Sequence, residues 1–294
     1  MPSKSLVTLF ALVGFSSATV HADNPAYASE AALTKAVEFA PGIISTKAHF
    51  EINTVFNKAG DNVLFARCAD DFTRCTMMQS EFKQGAWQPA KKLFFSGGYL
   101  EADPYYSPDE QYIYFVSNRP IDGSNEKASS VNMWRSKQVN GQWQAPEYLP
   151  QLSSDANDLY PSLTANGDLY FPSFRNDQRL FYVAKATDSG FETPKPLPAE
   201  MLGEGGQIGD SVMLADGKTI IFSMRRSDSL GKGDLYVSYL VDGKWTVAKS
   251  LGEKVNTPDH EFTPIVSPDG KYLFFTRIEN GRGNLYQIAL SALR

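Results

Sequence analysis

Three features of the 294-residue sequence predict an all-β fold: a five-bladed β-propeller of four-stranded antiparallel blades. Turn-centred segments recur with Asn57, Ser107, Thr164, Leu214 and Ser267 in equivalent places, 50, 57, 50 and 53 residues apart. A continuously apolar run follows each turn, as expected of a strand buried on both faces. Aromatic residues make up 13 % of the chain, and few stretches carry a helical period.

The first residues lie outside the repeat. Lys4, the apolar run from Leu6 to Phe15 and the small-x-small site Val20-His21-Ala22 have the pattern of a secretory signal peptide over residues 1–22. No cysteine follows that run, so no lipid anchor is expected. Residues 23–294 are expected to form a single domain, periplasmic or secreted. The net charge of −5 has no basic stripe within it, which excludes nucleic acid and anionic lipid as partners. No second long apolar run suggests membrane insertion. Cys68 and Cys75 flank a short polar loop, and after export a disulfide across it is the plain reading.

Blades are expected at residues 51–95, 101–150, 158–198, 208–251 and 261–291. The second copy shows the unit. Asp103-Pro104-Tyr105-Tyr106 is the incoming strand, Ser107-Pro108-Asp109-Glu110 the turn, and Tyr112 to Val116 the second strand. Asn132 to Ser136 is the third, and Asn140-Gly141 supplies the positive φ angles of a tight hairpin. Trp87, Trp143, Phe191 and Trp245 each follow a turn glycine and open a fourth strand, where inter-blade packing accounts for them better than a sugar platform. The last copy lacks a fourth strand. Residues 33–44, with Lys35-Ala36-Val37-Glu38-Phe39-Ala40-Pro41, resemble the other fourth strands and are expected to close the last blade, leaving no open edge.

Ser267-Pro268-Asp269-Gly270 before an aromatic strand, Thr276-Arg277, a glycine loop and Asn284-Leu285-Tyr286 together resemble the repeat of TolB-like, WD-type β-propellers. The similarity covers almost all of residues 23–294. It implies a fold and says little of activity, because propellers host binders, scaffolds and enzymes. No counterpart of the extra N-terminal α/β domain of TolB is expected within residues 1–294.

Charge recurs at two positions. Glu51, Glu101, Asp158, Ile208 and Glu261 stand six residues before each turn position, and Arg67, Arg119, Arg175, Arg225 and Arg277 stand after it. Both positions fall at the same end of one hairpin, so acid–arginine pairs locking each blade are expected. Ile208 breaks the pattern and Asp210 follows it, which leaves Arg225 for a ligand. The long loops lie at this end of the ring, so the channel mouth is the expected ligand site, with Glu101, Asp103, Asp158, Asp210, Arg225, His260 and Glu261.

The expected function is a non-catalytic binding or interaction scaffold in the cell envelope. Its partner is an envelope protein, a glycan or a small molecule, and the chain is expected to be a monomer without cofactor or metal. The alternative is a glycan-active enzyme, because arabinanase-type glycoside hydrolases are five-bladed propellers with channel carboxylates. Such an enzyme needs two carboxylates, one with a raised pKa, whereas pairing with arginine is expected to lower the pKa. His49 and His260 are isolated, which argues against zinc or a Ser-His-Asp triad. Gly231-Lys232-Gly233 and Gly281-Arg282-Gly283 precede strands and not helices, so they are read as turns. Asp122-Gly123-Ser124-Asn125-Glu126 lacks the ligand alternation of calcium loops.

Overall fold

A computed structural model describes residues 25–29, 33–121 and 126–293. The expected signal peptide and most of the Asp122–Glu126 segment lie outside the described residues. Among those described, no helix is long and apolar enough to cross a membrane.

The chain forms five antiparallel blades around an axis. The inner, second and third strands of blade 1 are Phe50–Phe56, Asn62–Cys68 and Cys75–Lys83. In blade 2 they are Glu101–Tyr106, Tyr112–Ser117 and Asn132–Val139. Blade 3 uses Ser162–Leu163, Leu169–Ser173 and Leu180–Ala184. Blade 4 uses Gln207–Met213, Thr219–Arg225 and Asp234–Val241. Blade 5 uses His260–Val266, Tyr272–Glu279 and Arg282–Ala289.

The fourth strand of blade 5 comes from the other end of the chain. Val37–Glu38 pairs antiparallel with Arg282–Ala289, placing Val37 opposite Gln287, and the Phe39 amide donates to the Leu285 carbonyl at 2.8 Å. The other fourth strands are interrupted and not continuous. In blade 1, Ala86–Trp87 and Lys91–Lys92 pair separately with the third strand, and Pro89 lies between them. Pro146 and Pro194 recur at the corresponding breaks of blades 2 and 3, where a residue without an N–H cannot hold the ladder.

The apolar runs pack between blades. Phe56, Phe65, Trp87, Phe274 and Phe39 form the cluster between blades 5 and 1; Leu64, Phe115 and Trp143 belong to that between blades 1 and 2. Phe181, Met213 and Phe222 join blades 3 and 4, and Val212, Phe275 and Ile288 join blades 4 and 5. The largest cluster joins blades 2 and 3 through Tyr114, Leu163 and Phe171, and extends to Phe50 and Phe262. The aromatics that open the fourth strands are therefore committed to interfaces.

Tyr27 adds an anchor that the repeat did not signal. It is buried against Phe56 at 4.8 Å between ring centroids, and a Cβ at Gly60 would stand 2.6 Å from its ring. Gly60 has φ +72°, so it serves both the turn and this close approach.

Strand direction divides the ring into two faces. The Ser-Pro-Asp-Gly-type and Asn-Gly turns lie on one; the blade connections and the loops between second and third strands lie on the other, here called the loop face.

Candidate functional site: the axial channel

The acid–arginine positions meet as antiparallel neighbours. Glu51 stands opposite Arg67 and Glu261 opposite Arg277, with N–O distances of 3.1 and 2.7 Å. Arg119 and Arg175 lie two residues beyond the serines opposite Glu101 and Asp158, and each reaches its acid at 2.6 Å. All four carboxylates are completely buried.

Each acid also holds the loop that enters its blade. Glu51 accepts from the Thr46 amide and hydroxyl, Glu101 from the Ser96 hydroxyl and the Gly97 amide. Asp158 accepts from the amide and hydroxyl of Ser154, and Glu261 from those of Thr257. A Ser or Thr four or five residues before each acid was thus a legible sign of a structural role, and it was missed. Burial pushes the Glu51 and Glu261 carboxyls above their ordinary range, and the hydrogen bonds and arginines only partly offset it. This corrects the expectation that pairing alone would lower them.

Blade 4 differs from expectation. Arg225 is exposed, and the structural arginine is its neighbour Arg226. Arg226 donates to the Leu202 and Ala248 carbonyls and pairs with Asp228 at 2.7 Å, while stacking on Tyr236. The second-strand phenylalanines Phe115, Phe171 and Phe222 fix the equivalence, because Arg119, Arg175 and Arg226 each stand four residues after them.

The channel mouth on the loop face is closed by an aromatic side chain. Cys68 and Cys75 form a disulfide. The loop between them sends Phe72 over the mouth, 5.0 Å from the Phe50 ring and 6.4 Å from that of Phe262. His260 stacks on Phe262 at 4.8 Å, half-buried against Gly233. Glu101, Asp158 and Glu261, expected at this mouth, are fully buried and engaged by arginines. Of the residues predicted there, Arg225 is the exposed one.

Asp103 and Asp210 sit deeper. A β-bulge interrupts the inner strand of four of the blades: in blades 1, 2 and 5, Asn53-Thr54 oppose Phe65 alone, Asp103-Pro104 oppose Phe115, and Thr263-Pro264 oppose Phe275. Asn53, Asp103, Tyr160 and Thr263 have φ of 53°, 57°, 46° and 50°, a conformation that turns them toward the axis. In blade 4 the bulge falls at Gly209-Asp210, opposite Ser223; a Cβ at Gly209 would stand 2.3 Å from the Ser223 hydroxyl.

These residues join blade to blade. Asp103 accepts the Tyr160 amide at 3.1 Å and Asp210 accepts the Thr263 amide at 2.9 Å. The Asn53 amide lies beside Asp103 and the Tyr160 phenol beside Asp210. Burial first, then the nearby Asp210 charge, raises the Asp103 carboxyl well above its usual range; burial pushes Asp210 up to about 7. The sequence signal for Tyr160 and Thr263 was the proline after each, shared with Asp103-Pro104.

A separate open cleft of about 550 Å³ lies between blades 2 and 3 on the turn face, walled by Tyr112, Arg135, Asn166, Asp188 and Phe191. Arg135 there is already paired with Glu147 at 2.8 Å and stacked on Tyr112.

No protein-family model matches the chain, and no curated protein matches its sequence. Solved structures do match. A TolB-type protein of Agrobacterium tumefaciens is similar with TM-score 0.54 at 10 % identity, covering 83 % of this chain and 78 % of that one. A protein of unknown function from Dyadobacter fermentans gives TM-score 0.53 at 14 % identity, covering 88 % and 83 %. A Hadza microbial sialidase gives 0.50 at 10 %, covering 83 % and 66 %. At these identities the likeness is one of fold: the chain is a five-bladed β-propeller with TolB-like and other propeller neighbours.

Proposed function

We propose that the chain is a non-catalytic, exported TolB-like propeller that binds a protein partner in the cell envelope through its loop face. The observation that carries this reading is the complete burial of Glu51, Glu101, Asp158 and Glu261, each engaged by an arginine and by its own connecting loop. A glycosidase needs two carboxylates about 5–9.5 Å apart that reach the sugar. None of these four can reach one without dismantling a blade junction.

The loop face presents other chemistry. Ile43, Phe94, Ile121 and Leu230 are exposed apolar side chains on its loops, and Arg225 is an exposed cation on the same face. Apolar anchors beside an arginine suit a protein surface better than a hydroxyl-rich glycan. The disulfide is in keeping with an oxidising compartment outside the cytosol.

Incubation of the oxidised protein with envelope glycans and chromogenic glycosides tests both readings, together with crosslinking to envelope proteins. No turnover is expected, and a crosslinked partner lost in Phe94→Glu and Arg225→Glu is expected. Glycoside hydrolysis that disappears in a folded Glu101→Gln variant would replace binding with catalysis.

A further inference from the structure

In blades 2 to 5 the arginine also reaches the carbonyl of the residue six places before the acid position. Arg119 meets Phe95, Arg175 meets Leu152, Arg226 meets Leu202 and Arg277 meets Val255. In blade 1 the residue six places before Glu51 is Ser45, and its carbonyl accepts the Gly42 amide instead, at 2.7 Å. Gly42 has φ +82°, so the segment leaving the ring-closing strand can turn back on itself there. Arg67 is left holding Glu51 through Nε alone, at 3.1 Å, the longest of the four acid–arginine contacts. Its two terminal nitrogens have no partner among the described residues. Its side chain is 20 % exposed, against 9–14 % for the other four arginines.

The released guanidinium has a pocket beside it. Arg67 lines an open pocket of about 520 Å³ together with Ile43, Ala48, His49, Pro89 and Ala90. The pocket lies between the Gly42 turn and the broken fourth strand of blade 1, where Pro89 separates Ala86–Trp87 from Lys91–Lys92. Among the described residues that line it, none is acidic. Its size is that of a small-ligand site, with apolar walls and a few polar groups.

We propose that this pocket binds the free carboxylate of a ligand with an apolar body, held end-on by the two terminal nitrogens of Arg67. A planar guanidinium edge matches a carboxylate bidentately, and charge assistance strengthens both bonds. Glu51 already offsets part of the arginine charge from the other side, which suits a singly charged acceptor better than a phosphate dianion. Ile43, Ala48, Pro89 and Ala90 suit an aliphatic body better than a hydroxyl-rich sugar. Two ligands share this chemistry: the C-terminal residue of a peptide and a short aliphatic acid. The site holds whether or not the loop face binds an envelope protein, and its test needs only the purified chain.

The test follows the His49 ring and Arg67 Nε–H resonances of full-length processed protein. The probes are a blocked tripeptide ending in a free leucine carboxylate, the same peptide as its C-terminal amide, sodium isovalerate and sodium phosphate. Saturable shifts with a dissociation constant of about 1 mM or below are expected from at least one carboxylate, and none from the amide. Tighter binding of the peptide acid than of isovalerate would identify a chain terminus as the ligand, and the reverse a small acid. Arg67→Lys keeps the charge beside Glu51 but loses the fork, and is expected to weaken binding by about tenfold or more. Ala48→Trp, at an exposed position, fills the pocket without touching the Glu51–Arg67 pair and is expected to abolish binding, which keeps the idea testable if the first variant misfolds. No saturable shift from either carboxylate at about 10 mM would overturn the proposal. So would an amide that binds as well as the acid, or phosphate that binds more tightly than both carboxylates. Carboxylate bound equally well by both variants would place it elsewhere and overturn it too.

Discussion

Arg226 donates to the carbonyl of Leu202 at 3.0 Å, in the place where Arg119 meets Phe95, Arg175 meets Leu152 and Arg277 meets Val255. Those four carbonyls belong to the segments that connect one blade to the next. The recurring arginine is thus a clamp between a connection and the blade it enters, and the carboxylate is its second hold. Blade 4 keeps the clamp after losing the acid at Ile208, by drawing on Asp228 from its own loop.

Arg226→Ala is therefore expected to cost roughly 2–3 kcal/mol, because it removes charge-assisted bonds and strands the Leu202 and Ala248 carbonyls. Arg225→Ala, on the exposed neighbour, is expected to stay within about 0.5 kcal/mol of wild type. Urea unfolding of the two variants checks this. Equal losses, or the larger loss in Arg225→Ala, would show that the register assigned to blade 4 is wrong.

Closure of the ring rests on few residues. Val37–Glu38 supplies only two strand positions, but Phe39 beside them is buried against Phe56, Trp87 and Phe274 at 5.2–5.6 Å between centroids. Phe39→Ala is expected to cost about 3–5 kcal/mol, and to raise hydrogen exchange first in Arg282–Ala289. Protection there that matches wild type, with stability unchanged, would mean that the clasp contributes little.

The sequence carried the fold through redundancy: five turns, five apolar runs and a missing fourth strand agree with one another, so degraded copies such as Asn57-Lys58-Ala59-Gly60 cause no error. The pairing of Glu101, Asp158 and Glu261 with arginines was legible for the same reason. Arg225 shows where this fails. Two adjacent arginines satisfy the spacing from the turn, and the strand register, which sets Ile208 opposite Met224, distinguishes them together with the four-residue step from Phe222. Depth was also hidden. Strand spacing places Asp103 and Asp210 at the mouth because it gives position along the axis coarsely, whereas the bulge that turns them inward carries no signature except, at Asp103, the following proline. Phe72 as a closure of the mouth has no repeat to announce it, since its loop occurs once.

His260 offers a pH readout on the loop face. Burial lowers its pKa, the nearby Lys232 adds to that, and Asp234 opposes it. A depressed folded value means that the unfolded chain binds the proton first. Stability is then full above the ordinary value of about 6.5 and is lost as pH falls from there through the lower folded value. The His260 ring resonance is expected to titrate below 6.5 in the native protein. Titration at or above that value would indicate an acidic neighbour dominating the site.

The disulfide and Phe72 can be separated experimentally. Closing so short a loop is expected to contribute about 2–3 kcal/mol on the chain-entropy model, so Cys68→Ser with Cys75→Ser should lower stability without unfolding a ring held by five inter-blade clusters. The loop tip keeps its own bonds, Asp71 accepting from the Thr73 amide and hydroxyl at 3.0 and 2.7 Å. What the disulfide adds is a fixed base from which Phe72, at φ 55°, reaches Phe50. Without it that conformation is held by the loop's own hydrogen bonds, among them the Phe72 amide to the Ala69 carbonyl at 2.9 Å, and by the Phe50 and Phe262 contacts, and Phe72 is expected to leave the mouth part of the time. Chymotryptic cleavage after Phe72 should then rise severalfold in the double variant while cleavage at the other blades stays low. Cleavage that does not change would mean that the Phe50 and Phe262 contacts hold the plug unaided, and that reduction leaves the channel closed.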